Sequence, residues 1–355
     1  FMKKKIIQIM PNVASQLITD TDYYGSWQTT FGINILKYSD DYQVECWTCY
    51  DPDTCGVSGL ISKNKYGIKF RYFPAYSFFK YFISFTMLKY LIKLTRSSEK
   101  FIVHLQVLHA PTSNIISFIC KNKPLIAQQR APNFPPIIKY NRSSRLVYLF
   151  HQILDKFCMK YYDHIFAPSV GEYLYLRNIL GSKKISFLKG GGFDFSNFPL
   201  LVKRDSRNEL GLPQDKKILI HVGRYNKRKG LHIIIEVYES LKKQHPDLML
   251  IIIGGANLDS KIYNQAMDSS AFVIDKHLSK LEVIKYLSAS DLNMMCSDDI
   301  IYNKFSDISN VELEAAAMGT PSISTFLHHF RGTKKERNKI GILTNHIKFK
   351  EDLLS

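Results

Sequence analysis

The chain has 355 residues, of which 45% are hydrophobic and 22% are charged, and its formal net charge is +17 at pH 7. This length suggests two globular domains, and the composition excludes a collagen-like, low-complexity or disulfide-rich protein. The positive charge favours acidic partners, but the sequence has no zinc-finger spacing, RNA-recognition motif or arginine-rich arm, so we expect no nucleic-acid partner.

The first residues do not have the pattern of a signal peptide, because the lysines at 3–5 precede only a short apolar run at 6–10. No stretch reaches the roughly 20 apolar residues of a membrane-spanning helix. We therefore expect a cytoplasmic protein, either free or peripheral on the inner face of the membrane. The six cysteines are scattered, and Cys46 and Cys49 have no second pair of ligands at zinc-site spacing, so we expect reduced thiols and no metal.

The N-terminal half alternates apolar runs of strand length with helical patterns. A helical pattern begins after a turn at Gly25 and Ser26, and Ser169 is a good helix cap. The strand-like runs lie at 5–10, 44–47, 101–105, 124–127 and 164–168. This alternation predicts βαβ units and a parallel sheet.

The C-terminal half repeats the alternation more clearly. Two capping boxes, Ser279 with Glu282 and Ser309 with Glu312, predict the starts of two helices. The strand-like runs lie at 217–222, 248–253, 291–295 and 322–324. We therefore predict an α/β chain of two Rossmann-like, doubly wound domains that face a cleft. A boundary region begins at the glycine run 190–192, and we place the domains at 1–198 and 199–355.

Several segments of the C-terminal half resemble, in the correct order, the motifs of one enzyme family. A strand ends in Gly223 and Arg224, Lys229 follows, and a later helix carries Glu314 in the pattern Glu-Ala-x-Ala-x-Gly-x-Pro. Shorter matches lie at 192–199, 254–255 and 289–297. Together these segments resemble the retaining GT-B glycosyltransferases known as group 1, from about residue 166 to about residue 321.

The resemblance implies a metal-independent hexosyltransferase that acts in polysaccharide or glycan biosynthesis and needs no cofactor beyond its nucleotide-sugar co-substrate. A UDP-sugar is favoured as the donor and GDP-mannose comes next, while a glycan or a lipid-linked molecule accepts the sugar. The resemblance also implies an N-terminal acceptor domain and a C-terminal donor domain, which by comparison with the family is either truncated at its end or a short version. Two alternatives stay open: a non-catalytic partner or binding subunit on the same fold, and a UDP-sugar epimerase.

Arg224 and Lys229 are the first candidate site residues. Negative charge grows on the leaving diphosphate when the donor bond breaks, and cations at the end of a strand stabilise it. A solvated basic loop is the ordinary explanation of such a cluster, but the preceding strand and the following glycine favour the functional interpretation.

The helix that begins after Ser309 supplies further donor contacts. Its first N–H groups, those of Asn310 and Val311, and its positive dipole end are expected to point at the same diphosphate. The resemblance assigns Glu314 to the ribose hydroxyls. It also places Gly223 and Gly254 in turns beside the donor.

The family carries a glutamate eight positions before Glu314, near the reacting face of the sugar. Here that position is Ser306, with Asp307 next to it as the nearest carboxylate. The departure puts the identity of the donor sugar in doubt more than the activity itself, because this chemistry depends mostly on positioning and on stabilising the leaving diphosphate.

The N-terminal half adds weaker candidates. Gly25 and Ser26 stand in the place of the family's N-terminal glycine loop, which approaches the donor phosphates. Gln129 and Arg130 stand where many relatives carry a histidine near the sugar. His109 lies in the loop after the strand at 101–105, where a polar role on the acceptor side competes with an ordinary structural one.

The segment 70–94 is dense in aromatic residues, with Lys80, Lys89 and Lys93 between them. Such a mixture suits a bilayer interface, where rings lie at the level of the headgroups and lysines meet anionic lipids. A core helix with a surface stripe explains the segment equally well. With the net charge, this segment leads us to expect contact with an anionic membrane surface.

Overall fold

The chain divides into two compact units, Phe1–Lys189 and Gly190–Ser355. The division falls at the start of the glycine run, whereas the predicted domains meet at residues 198 and 199. The computed structural model describes residues 3–13, 27–78, 81–128, 153–188, 195, 198–255, 259–276, 278–296, 309–325 and 341–343.

The first unit is built on an eight-stranded sheet with the strand order β10-β9-β8-β7-β1-β2-β4-β3. Its paired strands are parallel except for β3 and β4, and β5 and β6 form a separate antiparallel hairpin. The strands are β1 Lys4–Val13, β2 Tyr42–Tyr50, β3 Ile61–Lys65, β4 Ile68–Pro74, β5 Tyr76–Phe78, β6 Tyr81–Ile83, β7 Phe101–Leu105, β8 Leu125–Gln128, β9 His164–Ala167 and β10 Ile185–Phe187.

Helices cover both faces of this sheet, because successive side chains of a strand point to opposite faces. Val44 and Cys46 of β2 pack with α1 on one face, whereas Trp47 and Cys49 pack with α3, α4 and α5 on the other. A helical segment at 153–158 runs into a 3-10 turn, Met159–Tyr161, on this second face. The helices are α1 Trp27–Tyr38, α2 Pro52–Cys55, α3 Phe85–Thr95, α4 Pro111–Ile119 and α5 Val170–Leu180.

The second unit has a six-stranded sheet with the order β13-β12-β11-β14-β15-β16, in which every pairing is parallel. Its strands are β11 Lys217–Val222, β12 Leu248–Ile253, β13 Phe272–Ile274, β14 Leu292–Met295, β15 Ser322–Ser324 and β16 Gly341–Leu343. Its helices are α6 Lys203–Leu210, α7 Leu231–Lys242, α8 Ser260–Met267, α9 Lys280–Ala289 and α10 Asn310–Ala317.

The predicted elements of this unit are largely confirmed. The apolar runs at 217–222 and 248–253 form two adjacent inner strands, which are buried on both faces, as strands in a covered parallel sheet are. Both predicted capping boxes begin helices, α9 after Ser279 and α10 after Ser309. α7 and α8 pack on one face of the sheet, and α9 and α10 pack on the other.

Most of the aromatic segment at 70–94 belongs to the core of the first unit. Phe70, Tyr72 and Phe73 are buried in β4, and the inner side of α3 is buried as well. Exposed side chains in this segment include Tyr76, Phe85, Lys89 and Lys93, while Lys80 lies outside the described residues. The core interpretation therefore accounts for the greater part of the segment.

None of the described helices is long and apolar enough to cross a membrane. The six cysteines are free thiols, and five of them are buried. Burial raises the pKa of Cys49 to about 12, so this thiol is protonated at neutral pH.

Candidate functional site

The strand order of the second sheet reverses between β11 and β14. The chain runs from β11 through β12 to β13 on one side, and continues with β14, β15 and β16 on the other. Because the connecting helices then lie on opposite faces, a crevice opens at the carboxyl ends of these two strands. The N-termini of α7 and α10 flank this switch point, which is where the strongest sequence candidates lie.

Gly223 and Arg224 leave the carboxyl end of β11. The Gly223 N–H donates to the Ile253 carbonyl of β12 at 3.0 Å, which fixes the direction of the turn. A Cβ atom on Gly223 would lie 3.0 Å from Nε2 of His221, so the histidine ring leaves little room for a side chain here. The Arg224 side chain is exposed to solvent.

Lys229 lies at the end of a 3-10 turn, Lys227–Lys229, directly before α7. Asn226 caps this turn, since its side-chain oxygen accepts the Lys229 N–H at 3.0 Å. Gly230 then takes a left-handed conformation with φ of 67° and lets the chain enter the helix. Lys229 is half-buried, in contrast to the exposed Lys227.

Gly254 has a packing role that the sequence did not reveal. A Cβ atom at this position would lie only 2.4 Å from Cζ of Tyr225, whose ring is fully buried. Tyr225 in turn meets Tyr263 of α8 edge-on, with ring centroids 5.3 Å apart. Because Gly254 has no side chain, the Tyr225 ring packs directly against the end of β12. This contact holds the Arg224–Tyr225 turn in place.

The N-terminus of α10 is fixed by the predicted capping box. The Ser309 N–H donates to Glu312 Oε2 at 2.7 Å, and the Glu312 N–H donates to Ser309 Oγ at 3.3 Å. Asn310 is exposed and Val311 is half-buried, so the first turn of the helix has one side open to solvent.

Three polar side chains, His221, Glu312 and Ser324, are fully buried in the elements that form this edge, and Glu312 and Ser324 share a hydrogen bond. His221 Nδ1 donates to the Met294 carbonyl at 2.9 Å, and its Nε2 has no hydrogen-bond partner in the described part of the chain. Burial, opposed by the hydrogen bond to Met294 and reinforced by the nearby Lys229 charge, lowers the pKa of His221 to about 4, so the ring is neutral at pH 7. Its lone pair then lies on Nε2.

Glu312 is the second of these buried side chains, with no exposed surface. Burial raises the pKa of the Glu312 carboxyl, while hydrogen bonds from Ser324 and Ser309 and the charge of Lys229 act in the opposite direction. The Lys229 ammonium therefore lies near both Glu312 and His221. The sequence predicts only the capping role of Glu312. The signal that could have indicated His221 is a single histidine in an otherwise apolar strand.

Glu314 lies in α10 between the buried residues Glu312 and Ala315, and its own side chain is half-buried. Its Oε1 forms an ion pair with Lys280 Nζ of α9 at 3.2 Å. Burial raises the pKa of Glu314, and Lys280 opposes that shift. The Lys280 ammonium also lies 5.1 Å from the centre of the Phe198 ring.

His109 lies in the first unit and is buried together with two carboxylates. Its Nδ1 is 2.6 Å from Asp155 Oδ2, and its Nε2 is 3.5 Å from Glu172 Oε1, with none of the three side chains exposed. His109 also has a left-handed φ of 57°. The ring is buried in this structure, where it lies as a cation between Asp155 and Glu172. The acceptor-side role of His109 stays a prediction.

This buried pairing makes the stability of the first unit depend on pH. Burial lowers the pKa of His109, but the charge and hydrogen bond of Asp155, with Glu172, outweigh it and raise the pKa to about 9. The protonated His109 ring stabilises the folded state. This stabilisation is complete below the unfolded-state pKa of about 6.5 and is lost as the pH rises through the folded-state pKa of about 9. We expect the free energy of unfolding to fall by on the order of 3 kcal/mol across this window in urea titrations. His109→Asn tolerates the left-handed backbone and should flatten the slope; an equally steep slope in this variant would assign it to other groups.

Six predicted site residues lie outside the described residues: Gly25, Ser26, Gln129, Arg130, Ser306 and Asp307. Within the described part of the chain, no group of three or more His, Cys, Asp or Glu side chains is placed to hold a metal ion. The structure thus brings Gly223, Arg224, Lys229, Asn310 and Val311 to one edge of the second sheet. Gly254 lies at the end of the neighbouring strand β12.

The segment that contains this edge is similar to a known protein family. Residues 202–343 match the family described as Glycosyl transferases group 1. Glycogen synthase of Mycobacterium tuberculosis (strain ATCC 25618 / H37Rv) is 26% identical over 166 residues, which cover 45% of this chain and 33% of that protein. The matches to curated relatives span about a third of each relative's length, between 33% and 35%.

Solved structures match a larger part of the chain. Sucrose-phosphate synthase from Thermosynechococcus elongatus superposes with a TM-score of 0.67 at 16% identity, covering 99% of this chain and 89% of that one. A structure of Anabaena Alr3699/HepE in complex with UDP and glucose superposes with a TM-score of 0.60 at 15% identity, covering 90% of this chain and 80% of that one. At these identities the likeness shows the fold alone.

These comparisons confirm the family resemblance and the GT-B fold class predicted from the sequence. The residues that match the group 1 glycosyl transferases, 202–343, all lie within the second unit. The switch point between β11 and β14 belongs to that segment.

Proposed function

We propose that the protein is a retaining glycosyltransferase, which moves a hexosyl group from a nucleoside-diphosphate sugar to a glycan or lipid-linked acceptor. A UDP-sugar is the favoured donor, and GDP-mannose comes next. One observation carries the proposal: Arg224, Lys229 and the capped N-terminus of α10 flank the same switch point.

In this proposal the switch point receives the diphosphate of the donor. Arg224 is exposed and Lys229 is half-buried, so one cation reaches the phosphates from solvent and the other from the floor of the crevice. The first N–H groups of α10 and its positive dipole end add donors that need no rearrangement. These groups stabilise the charge that develops on the leaving diphosphate, and we expect transfer to continue in the presence of EDTA.

Glu312 and His221 position Lys229 in this arrangement. A neutral His221 presents a lone pair on Nε2 beneath Gly223, and the Glu312 carboxyl group places its oxygens in the first turn of α10. Both groups are enclosed by protein, so they hold their geometry when the site is empty. The Lys229 ammonium is therefore held in position before the donor binds, so the site does not have to reorganise during the reaction.

Glu314 is assigned to the ribose hydroxyls of the donor. Burial raises the pKa of Glu314 and its ion pair with Lys280 opposes that shift, and the carboxylate form accepts hydrogen bonds from two hydroxyls. The roles of Gly25, Ser26, Gln129, Arg130, Ser306 and Asp307 stay predictions, as does the binding of the acceptor by the first unit.

Two findings about similar proteins support a UDP-sugar. One neighbouring structure contains UDP and glucose, and another contains UDP-2-fluoro glucose. The second candidate function is a non-catalytic binding subunit, and one observation favours it: the family's first glutamate is replaced by Ser306. An epimerase would need additional acid and base residues in the crevice, and the motifs do not supply them.

A thermal-shift titration with UDP, GDP, ADP and CMP tests the donor class without an acceptor. A ligand at 100 times its Kd stabilises the folded state by about 2.7 kcal/mol, so we expect UDP to raise the Tm and the others to raise it less. Glu314→Gln should weaken the UDP shift. Its matched control is Glu209→Gln, since Glu209 pairs with Lys285 at 2.6 Å in the same unit but away from the switch point.

Release of UDP from a UDP-sugar, measured beside this titration, separates the two candidate functions. Stabilisation with turnover supports the transferase, and stabilisation without turnover across a panel of glycan and lipid-linked acceptors supports the binding subunit. No stabilisation by any of the four nucleotides would refute the proposed donor site.

A further inference from the structure

A group of exposed apolar side chains lies on the surface of the first unit. Phe118 and Phe157 are 49% and 54% exposed, and Ile153 is 67% exposed. The residues of this aromatic–lysine patch come from α4 and from the segment 153–161, and they are Ile115, Phe118, Lys121, Ile153, Lys156, Phe157, Lys160 and Tyr161.

The three rings of the patch form one continuous surface. Tyr161 meets Phe118 edge-on at 6.0 Å between centroids and meets Phe157 in the same manner at 6.4 Å. Tyr161 therefore joins the aromatic side chains of α4 to those of the neighbouring segment. Edge-to-face pairs of this kind hold the rings in a fixed arrangement.

Packing of the fold does not require these rings. The inner sides of the same elements are already in the core, with Ile116 and Cys120 from α4 and Met159 from the 3-10 turn. A contiguous apolar group left in solvent after the core is complete is typical of a surface that binds something.

The charges of the patch are all positive. Lys160 lies 4.4 Å from the Phe157 ring centre and 5.1 Å from that of Tyr161, and Lys121 lies 5.1 Å from that of Phe118. The segments 111–121 and 153–161 contain one carboxylate, Asp155, and it is buried against His109. The patch therefore presents rings and ammonium groups to solvent with no acidic side chain of its own.

We propose that the aromatic–lysine patch docks on the interface of an anionic lipid bilayer. Aromatic rings are favoured at the level of the headgroups, where an apolar body and a polar edge are both satisfied. Lysines beside them attract the anionic leaflet by about 1 kcal/mol each, and a chain of net charge +17 approaches such a surface readily. This assignment does not depend on the proposed transferase activity, and it replaces the segment 70–94 as the membrane contact.

Co-sedimentation with vesicles of phosphatidylcholine, with and without phosphatidylglycerol, tests the assignment at low salt. We expect the wild type to bind the anionic vesicles only. Removing both rings with Phe118→Ser and Phe157→Ser should lower the partition coefficient by roughly tenfold or more. Lys121→Gln with Lys160→Gln should lower it by about 25-fold, about fivefold for each lysine.

The matched controls are Tyr38→Ser and Lys37→Gln. Tyr38 is 78% exposed and Lys37 lies 5.7 Å from its ring, but both belong to α1, on the opposite face of the sheet. They should leave vesicle binding unchanged, and thermal unfolding of each variant checks that it folds. Absence of wild-type binding, or equal losses in patch and control variants, would overturn the proposal. A lipid-free oligomer that dissociates only in the patch variants would also overturn it, by assigning the patch to self-association.

Discussion

Replacing Lys229 with alanine is expected to lower kcat/KM for sugar transfer by about 10²–10³-fold, which is roughly 3–4 kcal/mol of transition-state stabilisation. The reason is geometric as well as electrostatic. Lys229 is half-buried and lies near Glu312 and His221, so its ammonium is placed before the donor arrives. The same variant should abolish the rise in Tm that UDP gives. Initial rates of UDP release and thermal-shift titrations measure the two effects.

Lys227→Ala is the control for this substitution. Lys227 belongs to the same 3-10 turn and carries the same charge, but its side chain is exposed. If the turn contributes only a diffuse positive field, the two variants will lose similar amounts of activity and both losses will shrink at high salt. A large loss confined to Lys229→Ala, and little affected by salt, is the expected outcome.

The fold of the second unit was predictable because its signals are local. The apolar runs of β11 and β12 and the capping boxes of α9 and α10 each lie within a few residues of sequence, and the structure has them where the sequence placed them. The motif glycines were predictable as turns for the same reason. What Gly254 packs against was not predictable, since that depends on Tyr225 from a neighbouring strand end.

The buried ionic groups could not be predicted, because their partners are distant in sequence. His109 meets Asp155 and Glu172, and nothing in the local pattern around any one of them indicates the other two. The aromatic segment 70–94 shows the same limitation. Composition alone does not distinguish rings that fill a core, such as Phe73, from rings that face solvent, such as Phe85.

Glu312 shows how a correct local interpretation leaves out part of a residue's role. The capping box that the sequence predicted is present, with the Ser309 N–H donating to Glu312 Oε2 at 2.7 Å. The local pattern does not show that the same carboxyl is fully buried and lies near Lys229, which comes from the loop after a different strand. Its two roles, capping and positioning, predict different responses to different substitutions.

Glu312→Gln and Glu312→Leu separate these roles. Glutamine retains an oxygen for the capping hydrogen bond but has no charge, whereas leucine has neither. We expect the leucine variant to lose about 1 kcal/mol of unfolding free energy and the glutamine variant to lose little. If Glu312 positions Lys229, both variants should lower kcat by roughly tenfold, because coupled side chains interact by about 0.5–3 kcal/mol.

The decisive comparison uses the variants in a Lys229→Ala background. A residue that acts only through Lys229 has no further effect once the ammonium is gone, so Glu312→Gln should then leave the residual rate unchanged. A glutamine variant with wild-type kcat would show that capping is the whole role of Glu312. An undiminished tenfold loss in the Lys229→Ala background would mean that Glu312 acts on the helix N-terminus itself. In the expected case, the buried Glu312 carboxyl in the first turn of α10 positions the Lys229 ammonium of the neighbouring loop, and this role explains why an acidic residue lies so close to a diphosphate site.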